Sequence, residues 1–135
     1  MNVVVDTSVW SLALRRAKRV NDGAPRELAE LIQEGRVVML GPVRQELLSG
    51  IKEKAQFELL REHLRAFSDL ELESADYEAA ASAFNRCRER GVQGSNTDFL
   101  ICAAATRRDM AIFTTDGDFQ HYARVLRLKL HEARD

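Results

Sequence analysis

Short runs of β-branched and other apolar residues recur along this chain, and segments with helical periodicity separate them. The clearest runs cover residues 2–5, 37–40 and 111–115, and weaker ones cover 70–72 and 125–128. Brief apolar runs without polar alternation are typical of strands buried on both faces of a parallel sheet. Because helices connect these runs, the pattern predicts an α/β fold with about four or five parallel strands, the first of them central, and helices on both faces.

Helix signals delimit the segments between the strands. Pro42 opens a short helix, and residues 53–67 have the periodicity of an amphipathic helix, so we expect a helical hairpin after the second strand. A long helix is expected over residues 75–90, which Gly91 ends. Another is expected over residues 98–108, before the strand at 111–115. The connections are short enough for one compact unit.

Length, charge and cysteine content narrow the class of protein. The chain has 135 residues, which suits a single domain over residues 1–135. Its 20 basic and 21 acidic residues give a net charge of −1, so any binding of phosphate must be local. Cys87 and Cys102 lack CxxC spacing, and no stretch approaches the roughly 20 apolar residues of a membrane span. We therefore expect a reduced, soluble, cytoplasmic protein without membrane contact.

Five acidic residues lie where these apolar segments begin or end. They are Asp6, Glu46, Asp98, Asp116 and Asp118. In open α/β sheets the functional crevice lies beyond the carboxyl ends of the strands. Asp6 and Asp116 should face one crevice if the first strand and the strand at residues 111–115 are neighbours. Asp98 and Glu46 join them if their helices begin at that same edge of the sheet.

Helix capping offers a simpler explanation for two of the carboxylates. Asp6 could act with Thr7 and Ser8 as a cap for the helix that follows. Asp98 could be the acidic member of a capping box that begins at Ser95, favoured by the helix dipole. Taken singly, each carboxylate fits capping about as well as a functional site.

The other three carboxylates also have local explanations. Asp116 and Asp118 flank a glycine, so a turn with side-chain hydrogen bonds to the backbone accounts for both. Glu46 could be a solvated helix residue, although its position between Val43 and Leu47 places it near the apolar stripe and slightly favours an inward orientation. One acidic pocket nevertheless explains all five carboxylates more economically than five unrelated causes.

Four short motifs place these carboxylates in a recurring order. They are Asp6-Thr7-Ser8 after a β-branched strand, Glu46 in the helix after the second strand, Asn96-Thr97-Asp98 opening an alanine-rich helix, and Thr115-Asp116-Gly117-Asp118-Phe119 after a later strand. The ordered set resembles the signature of the PIN-domain family, and the match spans nearly the whole chain. Chain size and the helical hairpin look most like VapC-type toxins of bacterial and archaeal toxin–antitoxin pairs. The fold implied by this resemblance is a PIN-like three-layer sandwich.

The resemblance implies a metal-dependent endoribonuclease. Clustered carboxylates repel one another, and a hard divalent cation with oxygen ligands relieves that repulsion. Mg²⁺ is the expected ion and Mn²⁺ the alternative, whereas the histidines and cysteines show no zinc-ligand spacing. In PIN nucleases a metal-activated water attacks the phosphodiester and leaves 5′-phosphate and 3′-hydroxyl ends. This is the reaction expected here.

The same resemblance implies a role for each acidic residue. Asp6, Asp98 and Asp116 are expected to be metal ligands, either directly or through water. Glu46 is expected to position or deprotonate the attacking water, which makes it the fourth catalytic residue. Asp118 matches the second acidic residue of the last motif and is a further candidate metal ligand, although it could act through solvent or only shape its loop.

Three hydroxyl residues beside these carboxylates are candidates for a supporting role. Thr7, Ser8 and Thr115 could each donate a hydrogen bond to a carboxylate or to a water on the metal. Such bonds would hold the ligands in a fixed orientation. Plain helix capping or turn formation is the simpler explanation for each hydroxyl.

Substrate binding requires local positive charge because the chain is nearly neutral. The densest basic cluster consists of Arg15, Arg16, Lys18 and Arg19. It lies on the helix that follows the Asp6 strand, so it could flank the crevice and bind RNA phosphates. Smaller clusters are Arg86, Arg88 and Arg90, and then Arg107 and Arg108. The simpler explanation for any one cluster is a solvated helix face.

Partners and alternatives also follow from the resemblance. VapC-type toxins are usually homodimers and are silenced by a cognate antitoxin, so RNA substrate, an antitoxin and a second copy of the chain are the expected partners. The main alternative is a catalytically idle PIN-fold module that binds RNA or a protein. A phosphatase of the haloacid dehalogenase type requires a second acidic residue two positions after Asp6, where Ser8 stands.

Overall fold

The structure of the protein, a computed structural model, describes residues 1–14 and 23–135. Within those residues, seven helices and three strands follow one another along the chain. They are β1 (Val3–Val5), α1 (Thr7–Leu14), α2 (Gly23–Gln33), β2 (Val37–Val38), α3 (Gly41–Leu48), α4 (Lys54–Leu64), α5 (Ser74–Glu89), α6 (Asn96–Arg107), β3 (Ala111–Phe113) and α7 (Asp118–Ala123). None of these helices has the length and apolar character that crossing a bilayer requires.

The strands form a parallel sheet in the order β2-β1-β3. Val4, in the middle of β1, lies opposite Val38 on one side and Ile112 on the other. All three residues of β1 are fully buried. Because successive residues of a strand face opposite sides of a sheet, both faces must be covered. The prediction of a central first strand is confirmed, and β3, within the expected run at residues 111–115, is its neighbour, which was the condition for Asp6 and Asp116 to face one crevice.

Helices cover the sheet in two groups. α1 packs against α2 and α3, whereas α5 packs against α6, which also contacts β1 and β3. α3 and α4 contact each other and form the expected helical hairpin after β2. The α/β fold class with helices on both faces is therefore confirmed.

Each edge of the sheet is extended by a single residue. Met39, next to β2, forms an isolated parallel bridge with Asp69, and Ile112 of β3 forms one with Leu130. Backbone hydrogen bonds support the second bridge, since the N–H of Ile112 donates to the carbonyl of Lys129 over 2.8 Å. Among the described residues the sheet thus has three strands with one bridge at either edge.

The expected strands at residues 70–72 and 125–128 do not form. The chain after residue 117 instead forms α7, and a turn follows the end of this helix. The N–H of Leu126 donates to the carbonyl of Tyr122 over 2.8 Å, so this stretch is held in a turn rather than extended. Leu126 is buried there, and Val125 and Leu128 pack partly against the core, so a short apolar run can be buried without forming a strand.

Candidate active site

Two carboxylates leave the sheet side by side. Asp6 directly follows β1, and its backbone N–H donates to the carbonyl of Phe113, the last residue of β3, over 2.9 Å. Asp116 lies three residues beyond Phe113. Since β1 and β3 are paired and parallel, both residues lie at the carboxyl edge of the sheet, as the sequence predicted.

The Asp6 carboxylate is nearly buried, with 5% of the residue exposed. Its Oδ2 atom accepts one hydrogen bond from the Ser8 hydroxyl and one from the Thr114 hydroxyl, each over 2.8 Å. A buried carboxylate is costly unless such bonds compensate it. Within the described residues both hydroxyl bonds go to Oδ2, which leaves Oδ1 available for another ligand. The Asp6 carbonyl, rather than its carboxylate, accepts hydrogen bonds from the N–H groups of Val9 and Trp10 in α1.

Hydroxyl groups tie the start of α1 to the loop after β3. The backbone N–H of Thr115 donates to the Ser8 hydroxyl, and that of Asp116 donates to the Thr114 hydroxyl, both over 3.0 Å. The Thr115 hydroxyl was expected to donate a hydrogen bond to a carboxylate of the site. The Thr114 hydroxyl makes that bond instead, to Asp6, and Thr114 was not predicted from the sequence. The sequence signal for it was the two-residue repeat of an extended chain, which places Thr114 and Asp116 on the same side.

Asp98 lies in the first turn of α6 and is half-buried. Its backbone N–H donates to the Ser95 hydroxyl over 3.1 Å, so the capping interaction expected at Ser95 is present. Its carboxylate has a different partner, accepting a hydrogen bond from the Tyr122 hydroxyl over 2.6 Å. Capping and a position in the crevice are therefore compatible at this residue.

The pKa of Asp98 is raised by its surroundings. Burial raises this pKa above its usual value, and the negative charges of Asp6 and Asp116 raise it further. The hydrogen bond from Tyr122 acts in the opposite direction, because it stabilises the ionised carboxylate. The carboxylates of Asp6 and Asp116, which are distant in sequence, thus lie near enough to Asp98 to disfavour its ionised form.

Tyr122 is the second residue of this site that was not predicted from the sequence. It lies in α7 and is fully buried, with its ring 4.8 Å from that of Phe99 and 5.1 Å from that of Phe119. Burial, together with its bond to Asp98, raises the pKa of the phenol, so the hydroxyl remains a donor. A side chain at Gly94 would overlap the Tyr122 ring, which explains a glycine there. The i, i+3 spacing of Phe119 and Tyr122 was the sequence signal for α7.

The loop that carries Asp116 is a tight turn. The backbone N–H of Asp118 donates to Oδ1 of Asp116 over 2.9 Å, as the turn explanation predicted. This bond orients the Asp116 carboxylate at the start of α7. Asp118 itself is exposed in the first turn of α7, at the solvent edge of the cluster.

Glu46 reaches the same edge from α3. Its Oε1 atom accepts a hydrogen bond from the Thr7 hydroxyl over 2.6 Å, which places it beside the residue that follows Asp6. Glu46 is exposed, so the expectation of an inward orientation is wrong. Val43 and Leu47 fill the buried side of α3, and the long glutamate side chain extends to solvent from the border of that stripe.

The donor set at this edge consists of carboxylate oxygens, which are ligands of hard divalent cations. Mutual repulsion at Asp98 is a further reason for such an ion to bind. Nowhere in residues 1–14 and 23–135 do three acidic, histidine or cysteine side chains converge closely enough to enclose an ion by themselves. Mg²⁺ usually keeps several water molecules and takes only one or two carboxylates. The arrangement therefore fits an ion held partly through water.

The basic residues expected to bind RNA are Arg15, Arg16, Lys18 and Arg19, and they lie outside the described residues. Their predicted role stays a prediction from sequence.

A family model described as PIN domain matches residues 3–125 of the chain. Similar solved structures include VapBC2 from Rickettsia felis bound to a DNA fragment from their promoter, at 18% identity and a TM-score of 0.77 over 97% of this chain and 98% of that one. FitAcB from Neisseria gonorrhoeae matches at 20% identity and a TM-score of 0.76 over 96% of each chain. VapBC-5 from Mycobacterium tuberculosis matches at 18% identity and a TM-score of 0.69, over 98% of this chain and 100% of that one. No curated protein matches by sequence.

Proposed function

Because this chain belongs to the PIN-domain family, we propose that it is a metal-dependent endoribonuclease, which hydrolyses RNA phosphodiester bonds as the toxin of a toxin–antitoxin pair. The observation that supports the proposal is that Asp6 and Asp116 follow the paired strands β1 and β3 at their carboxyl edge, and that their negative charges reach Asp98 in the first turn of α6. Catalytic sites of open α/β sheets lie at this edge. An idle module would have no need to keep mutually repelling carboxylates together.

The proposed ion is Mg²⁺, with Mn²⁺ as the alternative. Asp6, Asp98 and Asp116 would hold it directly or through water, and Asp118 would act from the solvent edge. When bound, such an ion neutralises charge that develops on the phosphate and makes water a better nucleophile. In this scheme the nucleophile is water rather than a protein side chain, and both cysteines are buried.

The remaining residues orient the reacting groups. The hydroxyls of Ser8 and Thr114 fix the Asp6 carboxylate, and the Tyr122 hydroxyl fixes that of Asp98. Thr7 holds Glu46 at the open side of the crevice, where its carboxylate can accept a proton from the attacking water. Most of these orienting bonds join elements that lie far apart in sequence, so the packing of the domain keeps the site in one arrangement.

The proposed partners rest on the family and on the neighbouring folds. VapBC-5 is a member of the VapBC family of toxin–antitoxin systems, which supports a cognate antitoxin as a partner here. RNA as substrate, a homodimeric state and a cytoplasmic location are carried over from the resemblance and stay predictions.

Removal of divalent metal is expected to stop RNA cleavage. Purified protein should cleave single-stranded RNA in Mg²⁺ or Mn²⁺, lose that activity in EDTA and regain it when excess Mg²⁺ is added, because the carboxylates cannot activate water alone. Gel analysis of labelled RNA measures this, and the products should carry 5′-phosphates. Cleavage at the same rate in EDTA would contradict the mechanism, and no cleavage with any divalent ion would favour the idle module.

Replacement of Tyr122 by phenylalanine is expected to shift the pH dependence of cleavage. The Tyr122 hydrogen bond lowers the pKa of Asp98, so its loss raises that pKa further. The ionised, metal-binding form of Asp98 then needs a higher pH, and the acidic limb of the pH–rate profile should move upward. Tyr77→Phe is the matched control, since Tyr77 is exposed on α5. Identical acidic limbs in the two variants would remove Tyr122 from the site.

A further inference from the structure

A pocket of about 370 Å³ lies between α5, α6 and the segment that follows α7. It is separate from the acidic crevice and combines a small apolar floor with a basic rim. The side chains that define it are Ala83, Ala103 and Leu126 in the floor and Arg86, Arg107 and Arg127 at the rim. Two of these arginines belong to basic clusters that are separate in the sequence, and the fold brings them together.

Hydrogen bonds within the protein hold two of the rim arginines in place. Arg86 donates from Nη2 to the carbonyl of Val125 over 3.2 Å, and Arg107 donates from Nη1 to the buried carboxylate of Asp76 over 2.6 Å. Asp76 also binds Arg108, so a single negative charge is shared by two guanidinium groups. Arg127 is exposed at the rim. The pocket therefore carries an excess of positive charge on an otherwise nearly neutral protein.

One wall separates this pocket from the crevice. The Tyr122 hydroxyl binds Asp98 on one side, while Leu126, hydrogen-bonded through its N–H to the Tyr122 carbonyl, lines the pocket on the other. Along α6, Arg107 lies nine positions after Asp98, which is about 13 Å at a rise of about 1.5 Å per residue. A few nucleotides of an extended strand span that distance.

We propose that this pocket binds one nucleotide of the RNA substrate outside the scissile bond. Its phosphate would lie between Arg86 and Arg127, because guanidinium groups bind phosphate oxygens in a fork geometry. Its base would lie against the alanine floor, and the volume is within the range of roughly 300–1,000 Å³ of small-ligand sites. The choice of RNA rests on the proposed function, since a free mononucleotide presents the same chemistry.

RNA binding without cleavage tests the proposal. In EDTA, fluorescence anisotropy of a short labelled single-stranded RNA should show roughly tenfold weaker binding for each of Arg86→Gln and Arg127→Gln, as expected for hydrogen bonds to a charged group. The dependence of log affinity on log salt should also flatten by about 0.7 for each phosphate that the variant no longer binds. Arg107 is left unchanged in this design because it binds Asp76.

The double variant Arg86→Gln/Arg127→Gln removes the two rim arginines proposed to bind phosphate, and its matched control is the double variant Arg90→Gln/Arg124→Gln. The control removes two arginines near the same elements and outside the pocket, and it has the same net charge as Arg86→Gln/Arg127→Gln. Equal RNA affinity and equal salt dependence in the two double variants would overturn the proposal. AMP serves as a second probe, a free mononucleotide. If Arg86→Gln/Arg127→Gln weakens AMP binding and leaves RNA binding unchanged, RNA is not the ligand and the pocket binds free nucleotides. Pocket-dependent RNA binding without any cleavage in Mg²⁺ would support this site and contradict the proposed activity.

Discussion

Replacement of Asp98 by asparagine is expected to lower RNA cleavage on the order of a thousandfold while leaving the fold intact. Asparagine has nearly the same shape and can still accept the hydrogen bond from the Tyr122 hydroxyl. It removes one negative charge from the group that would hold the metal, whose stabilisation of the transition state amounts to several kcal/mol. Single-turnover cleavage of labelled RNA in Mg²⁺ measures the effect.

The stability of this variant should separate catalysis from folding. Burial and two neighbouring carboxylates disfavour the ionised form of Asp98, so a neutral side chain there relieves repulsion, and the melting temperature should not fall. Glu78→Gln, on the exposed surface of α5, is the control for loss of one negative charge. If the wild type arrests growth when expressed, Asp98→Asn should be tolerated. A fully active Asp98→Asn variant would exclude this residue from the site.

Replacement of Asp76 by alanine is expected to destabilise the domain by about 3 kcal/mol, near the lower end of the range for a broken buried ion pair. Asp76 is fully buried. It accepts hydrogen bonds from Arg107 over 2.6 Å, from Arg108 over 2.7 and 2.9 Å, and from the N–H of Glu73 over 2.8 Å. The side chains of Arg107 and Arg108 are 35% and 19% exposed, so water can partly solvate them once Asp76 is removed, which limits the cost.

Urea unfolding of the two proteins measures this cost, and its pH dependence identifies the cause. The pKa of Asp76 is held well below its usual value, mainly by the hydrogen bond from Arg108, despite the opposing effect of burial. A carboxylate with a lowered pKa stabilises the fold above its ordinary pKa near 3.8, and that stability is lost as the pH falls toward the folded-state value. The difference between wild type and variant should therefore be full at neutral pH and shrink below pH 3.8.

Asp69→Ala provides the matched control for Asp76→Ala. Asp69 also pairs with an arginine, Arg44, but its side chain is 48% exposed. Exposed pairs contribute at most about 1 kcal/mol, because water already solvates both charges. Equal destabilisation by the two alanine variants would show that Asp76 does not hold α5 to α6.

Much of the architecture was predictable because its signals are local. Short apolar runs identified β1, β2 and β3, and glycine at position 91 marked the end of a helix. Parallel strands place their carboxyl ends at one edge, so the positions of Asp6 and Asp116 followed once β1 and β3 were expected to pair. The helix α7 was not predicted because its six residues are mostly polar and offer only the spacing of Phe119 and Tyr122 as a helical signal.

The sequence alone determined the α/β class, the order of the helices and of the three strands up to β3, and the set of acidic residues at their ends. Only the tertiary structure decided that Tyr122 binds Asp98, that Thr114 rather than the Thr115 hydroxyl supports Asp6, and that Glu46 is exposed. It also joined arginines from α5, α6 and the last segment around one pocket. The physical reason is that helix and strand signals arise between neighbours along the chain. These residues lie twenty or more positions apart, so only the packing of the domain sets the distance between them.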